Sequence, residues 1–339
     1  MKIHYISCHA ILEYDEVSLF TELGHQVFSN GVYMYPEGHP LLPRPGIKNG
    51  AFFPELIDLA RRVPKTELPK ELIEPFDVII IMDGHHVPDI LRLNWTSMRH
   101  KKVVLRMIGQ SLPGKEKALQ EYVDEGLKVV RYSPMEANLK NYARSEAIIR
   151  FYKDPEEFHN WNGNDLKVVN TSQTLKGRRD FCGYDFMMKV GPGFPFKVYG
   201  SGNEDLGEFN GGEIPYELLK GQLRDARVFL YGGTWPASYT LGFIEAWMTG
   251  IPVVSINKDL WKHKDNSDID LFEIPKLIAT GDNGFVARDV VHAKEIIERL
   301  LGQDDYARKI GEAGRQEAIR VFGKEKIKGE WNALLNKLQ

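Results

Sequence analysis

Between residues 228 and 257 the chain reads as strand, loop, helix, glycine stop and strand: Val228-Phe229-Leu230-Tyr231, a small-residue loop from Gly232 to Ser238, a helix expected over 239–249, Gly250, then Pro252-Val253-Val254-Ser255-Ile256. A helix that starts just past the carboxyl end of a parallel strand aims unpaired backbone N–H groups and the positive end of its dipole at one point, which suits a pyrophosphate. The spacing puts that point at Thr240, Leu241, Gly242 and Phe243. Gly242, with no side chain, admits close approach. Glu245 lies further into the helix, where it either accepts hydrogen bonds from two ribose hydroxyls or is an ordinary helix-forming glutamate on a solvated face. Tyr231, Gly232 and Gly233 end the strand and either line a base and diphosphate pocket or form a simple turn.

The elements that must position these residues follow a repeated βα pattern. In the first half, strands are expected over 2–7, 25–29, 77–82, 102–106, 128–131 and 147–150. Asp77-Val78-Ile79-Ile80-Ile81-Met82 is apolar on both faces, as a central parallel strand covered by helices requires. Residues 31–76 carry Tyr35-Pro36-Glu37-Gly38-His39-Pro40 and Pro43-Arg44-Pro45-Gly46, which predict a mobile or elaborated loop, either shaping an acceptor site or forming an irregular surface insertion. A second βα series is expected with strands over 167–170, 196–199, 228–231, 252–256 and 276–279, and helices over 216–225, 239–249, 293–301 and 304–321. The domain reading is 1–153, a turn-rich linker 154–165, a second domain 166–322, and a C-terminal helix 323–339 packing back on the first domain.

With 339 residues the chain exceeds what one core usually organises, so two domains are expected. The composition, 42% hydrophobic and 27% charged, is that of a globular protein, and no apolar run reaches the ~20 residues of a membrane helix. A net charge of -3 gives no global attraction for a polyanion. Cys8 and Cys182 stand alone in the sequence, arguing against a disulfide framework or structural zinc; with a start that reads as a strand, a cytoplasmic location is expected.

The segment as a whole resembles the C-terminal domain of GT-B glycosyltransferases, particularly the retaining family 4 group. Asp225-Ala226-Arg227-Val228-Phe229-Leu230 is similar to its strand end, Glu245-Ala246-Trp247-Met248-Thr249-Gly250-Ile251-Pro252-Val253-Val254 to its "EA-m-a-G…PVV", and Asn283-Gly284-Phe285-Val286 with Val321-Phe322-Gly323 to its C-terminal region. Leu23-Gly24-His25-Gln26-Val27 is similar to the "L-GH-V" turn of many GT-B proteins. The resemblance implies an α/β fold of two Rossmann-like domains facing across a cleft, and a hexosyltransferase with no cofactor beyond its nucleoside-diphosphate sugar, UDP-linked, donating to a glycan, lipid, small molecule or modified DNA base.

It also implies roles for particular residues. Lys176-Gly177 matches the family's lysine-glycine, while the upstream arginine is replaced in Asn170-Thr171-Ser172-Gln173; Arg178 and Arg179 supply that charge as a phosphate clamp, or the three form a solvated turn. Gly200 and Ser201, in Gly200-Ser201-Gly202-Asn203, match the glycine loop that keeps the nucleotide cleft open. Ala237 stands eight positions before Glu245, where the family carries its first glutamate. On the first-domain side, His85 and His86 in Asp83-Gly84-His85-His86 are either an acceptor or donor-sugar contact or a plain loop pair; adjacent histidines without carboxylates do not read as a metal site. Gln110 or Arg106 takes the place of a histidine near the sugar, and Glu13 and Asp15 occupy the acceptor loop, as acceptor ligands or as acids at a helix start. Two other readings share the fold: a phage-type DNA base glucosyltransferase, drawing on Arg61-Arg62 and Arg99-His100-Lys101-Lys102, and a sugar-nucleotide-binding protein without catalysis. A sugar-nucleotide epimerase is a further relative.

Overall fold

Val78–Met82 is buried at every position, and a strand apolar on both faces is stable only inside a sheet covered by helices. The computed structural model describes residues 1–34, 52–261 and 269–339. They divide into two compact units, Met1–Phe151 with Ile327–Gln339, and Tyr152–Lys326.

The first unit runs β1 (Lys2–Ile6), α1 (Ala10–Glu22), β2 (Gln26–Asn30), α2 (Pro54–Arg62), β3 (Val78–Met82), α3 (Val87–Met98), β4 (Lys102–Arg106), α4 (Pro113–Asp124), β5 (Lys128–Arg131) and β6 (Ala147–Ile148). Its six strands are all parallel, in the order β2-β1-β3-β4-β5-β6. Of the stretch 31–76 expected to be a loop, residues 35–51 lie outside the described residues. The remainder contains α2, a correction with a clear cause: Pro54 sits in the first turn, where its missing N–H costs nothing, and Leu56 and Ala60 face a cluster of Phe28, Phe53 and Phe76.

In the second unit β7 (Asp165–Thr171), α5 (Tyr184–Val190), β8 (Phe196–Tyr199), β9 (Asn210–Gly212), α6 (Tyr216–Asp225), β10 (Ala226–Tyr231), α7 (Leu241–Thr249), β11 (Val253–Ser255), α8 (Lys258–Trp261), α9 (Ile274–Leu277), β12 (Phe285–Val286), α10 (Val290–Gly302) and α11 (Asp304–Phe322) build a second parallel sheet, ordered β12-β11-β10-β7-β8-β9. The strand expected over 276–279 is instead occupied by α9, because Pro275 opens a helical turn; Phe285–Val286 supplies the outer strand. Residues 154–165 lie inside this unit, with Phe158 buried and the Trp161 indole N–H donating to the Ala226 carbonyl at 2.7 Å.

A last helix, α12 (Lys324–Leu338), joins the first unit from Ile327 onward. Its Trp331 is fully buried, edge-on to Phe20 with ring centroids 5.0 Å apart and beneath the Arg106 guanidinium at 5.4 Å. Arg106 is itself buried, with Nε donating to Glu16 at 2.8 Å and Nη1 to the Ile149 carbonyl at 2.6 Å, while the Tyr5 hydroxyl donates to Glu16 at 2.6 Å. These partners compensate charges that would otherwise be costly to bury.

His4 on β1 is fully buried between the rings of Phe28 and Phe76, 5.4 and 5.0 Å away, and its Nδ1 donates to the Leu72 carbonyl at 2.8 Å. Burial pushes the imidazole down to about 4, the Leu72 hydrogen bond only partly opposing it. A histidine kept neutral by folding contributes stability that is complete above its unfolded value of about 6.5 and lost as pH falls through 4. The unfolding free energy is therefore expected to fall by about 3 kcal/mol between pH 7 and pH 4 through this group alone. Urea titrations at both values should show a smaller fall for His4→Gln.

Candidate functional site

In the second sheet the strand order reverses at β7: β8 and β9 follow on one side, and the chain then crosses back to place β10 on the other. Such a reversal opens a crevice outside the carboxyl ends of the two strands, where ligands of open α/β sheets bind. β7 ends there on Thr171, β10 on Tyr231, and α7 starts ten residues after Tyr231, at Leu241. Thr240 caps α7 from an extended conformation, its Oγ1 accepting from the Phe243 N–H at 3.5 Å. The Leu241 and Gly242 N–H groups have no intrahelical acceptor, and both residues are half-buried. A side chain on Gly242 would run into the Thr171 hydroxyl. That hydroxyl is buried without a hydrogen-bond partner among the described residues, so Thr171 joins the converging donors.

The expected residues around this crevice fall into distinct surroundings. Tyr231 is buried with its ring parallel to Phe272 at 6.5 Å, and burial pushes its phenol well up. Gly232 packs on Met187 and Cys182, and Gly233 on Trp261 and Phe272. Gly200 adopts φ 139, a conformation that favours glycine, and lies against the Ser172 carbonyl; Ser201 accepts at its carbonyl from the Thr174 N–H at 2.7 Å. The fully buried Asn203 fastens the two loops together. Its amide donates to the Ser172 and Gly200 carbonyls at 2.6 and 2.9 Å, and its oxygen accepts from the Leu175 N–H at 2.8 Å. The next residue, Lys176, is thereby held on a fixed turn. Lys176 and Arg178 are exposed, Lys176 lying 3.7 Å from Asp205. Arg179 is forked onto Asp185 at 2.6 and 3.1 Å and lies over Tyr184.

Glu245 is on the buried side of α7, not on a solvated face. The Tyr216 hydroxyl donates to its Oε1 at 2.7 Å, and the fully buried Lys153 ammonium lies 3.0 Å from the same oxygen. Neither partner was visible beforehand, since Lys153 sits in the chain before β7 and Tyr216 at the start of α6.

The first unit has its own reversal, between β1 and β3. A cleft there is lined by Ile6, Cys8, Lys65, Met82, Gly84 and His86. The His85 and His86 rings lie 3.7 Å apart; partial burial and the neighbouring His85 push His86 down. Asp83 is buried and ion-paired with Lys115, with burial nonetheless holding its carboxyl up, and burial beside Asp83 pushes the Cys8 thiol up to about 11. A thiol so placed is a poor nucleophile. Gln110 is exposed beyond β4. Glu13 is fully buried, accepting from the Ser29 hydroxyl at 2.6 Å and the Val32 N–H at 2.7 Å, so it holds the end of β2 to α1. Asp15 is buried on the same helix.

Three of the four residues in the basic run 99–102 face acids: Arg99 pairs with Glu125 at 2.9 Å, and His100 and Lys101 each lie 3.4 Å from Glu74. Among the described residues no three His, Cys, Asp or Glu side chains gather as metal ligands, and no helix is long and apolar enough to cross a membrane.

No protein-family model matches the sequence, and no curated protein does. Solved structures match in shape. Anabaena HepE in complex with UDP-glucose aligns over 99% of this chain and 100% of its own, with a TM-score of 0.66 and 14% identity. Sucrose-phosphate synthase from Thermosynechococcus elongatus aligns over 100% and 99%, TM-score 0.68, 14% identity. A glycosyltransferase from Rickettsia africae aligns over 99% and 98%, TM-score 0.65, 13% identity. At these identities the likeness is one of fold: the chain has the GT-B glycosyltransferase fold, an α/β architecture with two Rossmann-like units.

The tight fit of Gly242 on Thr171 makes a packing prediction. Gly242→Ala should destabilise the protein by roughly 1–3 kcal/mol, the cost of an overpacked site, and Thr171→Ala in the same chain should recover most of it. Thermal melts of the two single variants and the double variant read the coupling directly.

Proposed function

We propose that this protein is a glycosyltransferase that moves a hexose from a UDP-linked sugar to an acceptor hydroxyl, with retention at the anomeric carbon and without a metal ion. The observation that carries this reading is the start of α7 beside Thr171, a cluster of hydrogen-bond donors at the β7/β10 crevice. It is supported by a fold whose solved examples include HepE holding UDP-glucose.

On this reading the Leu241 and Gly242 N–H groups and the Thr240 and Thr171 hydroxyls hold the diphosphate, and Glu245 reads the ribose. Gly200, Ser201, Tyr231, Gly232 and Gly233 shape the walls for the base. Lys176 and Arg178 stabilise the charge that develops on the diphosphate as the sugar leaves, with Arg179 one step removed because its guanidinium is forked to Asp185. The acceptor contacts narrow to His85, His86 and Gln110, since the Glu13 carboxylate is engaged in the fold and Asp15 is buried. The bond from the anomeric carbon to the phosphate oxygen breaks, a bond to the acceptor oxygen forms on the same face, and the acceptor proton passes to the departing phosphate oxygen.

UDP-sugars should raise the melting temperature of the protein, as any ligand specific to the native state does. Replacing Lys176 and Arg178 together by alanine should lower kcat/KM for transfer about 100-fold or more, because donors aimed at developing charge act chiefly in the transition state. Ala237, half-buried where relatives are expected to carry a carboxylate, favours a second reading. A protein that binds UDP but neither transfers nor hydrolyses any sugar donor would be a sugar-nucleotide-binding module.

A further inference from the structure

Burying one carboxylate a turn inside the helix that is to hold a diphosphate creates an electrostatic conflict. Two anions would share one end of α7, and like charges at that separation repel strongly where water is excluded. Glu245 is 3% exposed, and the groups that meet it are a fully buried ammonium and a phenol. Lys153 Nζ lies 3.0 Å from Oε1 and the Tyr216 hydroxyl donates to that same oxygen at 2.7 Å; the two partners stand 3.5 Å from each other. A carboxylate has about four lone-pair positions over its two oxygens. Both contacts converge on Oε1, and among the described residues no donor reaches Oε2, whose acceptor positions are open to another donor.

The placement of Lys153 adds a second constraint. Its backbone N–H donates to the Phe322 carbonyl at 3.1 Å, and it bridges Gly323, so its main chain is tied to the end of α11 before its side chain reaches Glu245. Phe158 covers the ammonium at 5.6 Å. An ion pair this enclosed is a weak source of stability compared with apolar packing, because desolvation offsets most of the attraction. Its worth lies in holding one charge in one orientation.

Resting on the donor-site reading above, we propose that Lys153 and Tyr216 are positioning residues that hold Glu245 turned so that Oε2 accepts from the donor's ribose hydroxyl, while the Lys153 charge offsets the repulsion between Glu245 and the diphosphate. Neither touches the sugar nucleotide; both act through Glu245.

The test compares UDP with its deoxyribose analogue dUDP, titrated calorimetrically into the full-length wild type, Tyr216→Phe and Lys153→Met. The wild type should prefer UDP by about tenfold or more, the worth of a hydrogen bond to a charged group. Tyr216→Phe, which keeps shape and charge, should shrink the preference to about threefold or less, and Lys153→Met should shrink it similarly while weakening both ligands. A purely structural role would weaken both ligands alike and leave their ratio unchanged, which overturns the proposal. A wild type that binds UDP but does not distinguish dUDP overturns it too, and with it the ribose-reading role of Glu245 alone. A wild type that binds neither ligand removes the donor-site reading itself. If Lys153→Met does not fold, Tyr216→Phe alone decides.

Discussion

Among the described residues every strand runs parallel to its neighbours within its own sheet, and that direction constrains nearly everything else. Parallel neighbours require a crossover, crossovers bring helices onto both faces, and the helices that follow strands begin at the same carboxyl edge. Partial positive charge and free N–H groups therefore gather along one rim of each sheet. The crevice between β7 and β10 only selects which of those helix starts is reachable. A function that handles a phosphorylated molecule needs no additional device to find its place.

Within that rim, the second unit shows how polar side chains are made rigid. Asn203 contributes three hydrogen bonds from a fully buried position, and the loops after β7 and β8 thereby move as one piece. The exposed cations Lys176 and Arg178 hang from this stitched frame. The first unit uses a different device: its charged centre, Glu16 with Arg106, is closed by Tyr5, Phe151 and Trp331, so charge there serves the fold. Glu13 belongs with that group, its carboxylate engaged by Ser29 and Val32.

The difference between those two uses of charge also measures what was legible in the sequence. The strands were readable because their apolar residues form short runs on both faces, and α7 because a small-residue loop, a threonine cap and Gly250 bracket it. Glu245 could be located but not its setting, since Lys153 and Tyr216 reach it through tertiary folding. Glu13 was open to two readings, acceptor ligand or helix-start acid, because sequence does not say that Ser29 and the Val32 N–H will be waiting for it. Two helix starts went unread: Pro54 and Pro275 each sit in the first turn of a helix, α2 inside a stretch expected to be a loop and α9 where a strand was expected. Lys176-Gly177 drew attention by its match to a family pattern, but sequence did not say that Arg179 in that run faces Asp185.

The return of the chain to the first unit at Ile327 bears on how the protein is made. Synthesis delivers β1 to β6 before the second unit, yet Trp331, which covers Phe20 and the Arg106 guanidinium, comes only after it. Until then the first sheet has an apolar ring and a buried-type cation open to water, while the whole second unit is translated in between. Domains generally fold as they leave the ribosome. Here a core begun before the second unit is sealed only after it, so Phe20 and Arg106 wait for their cover while that unit is made.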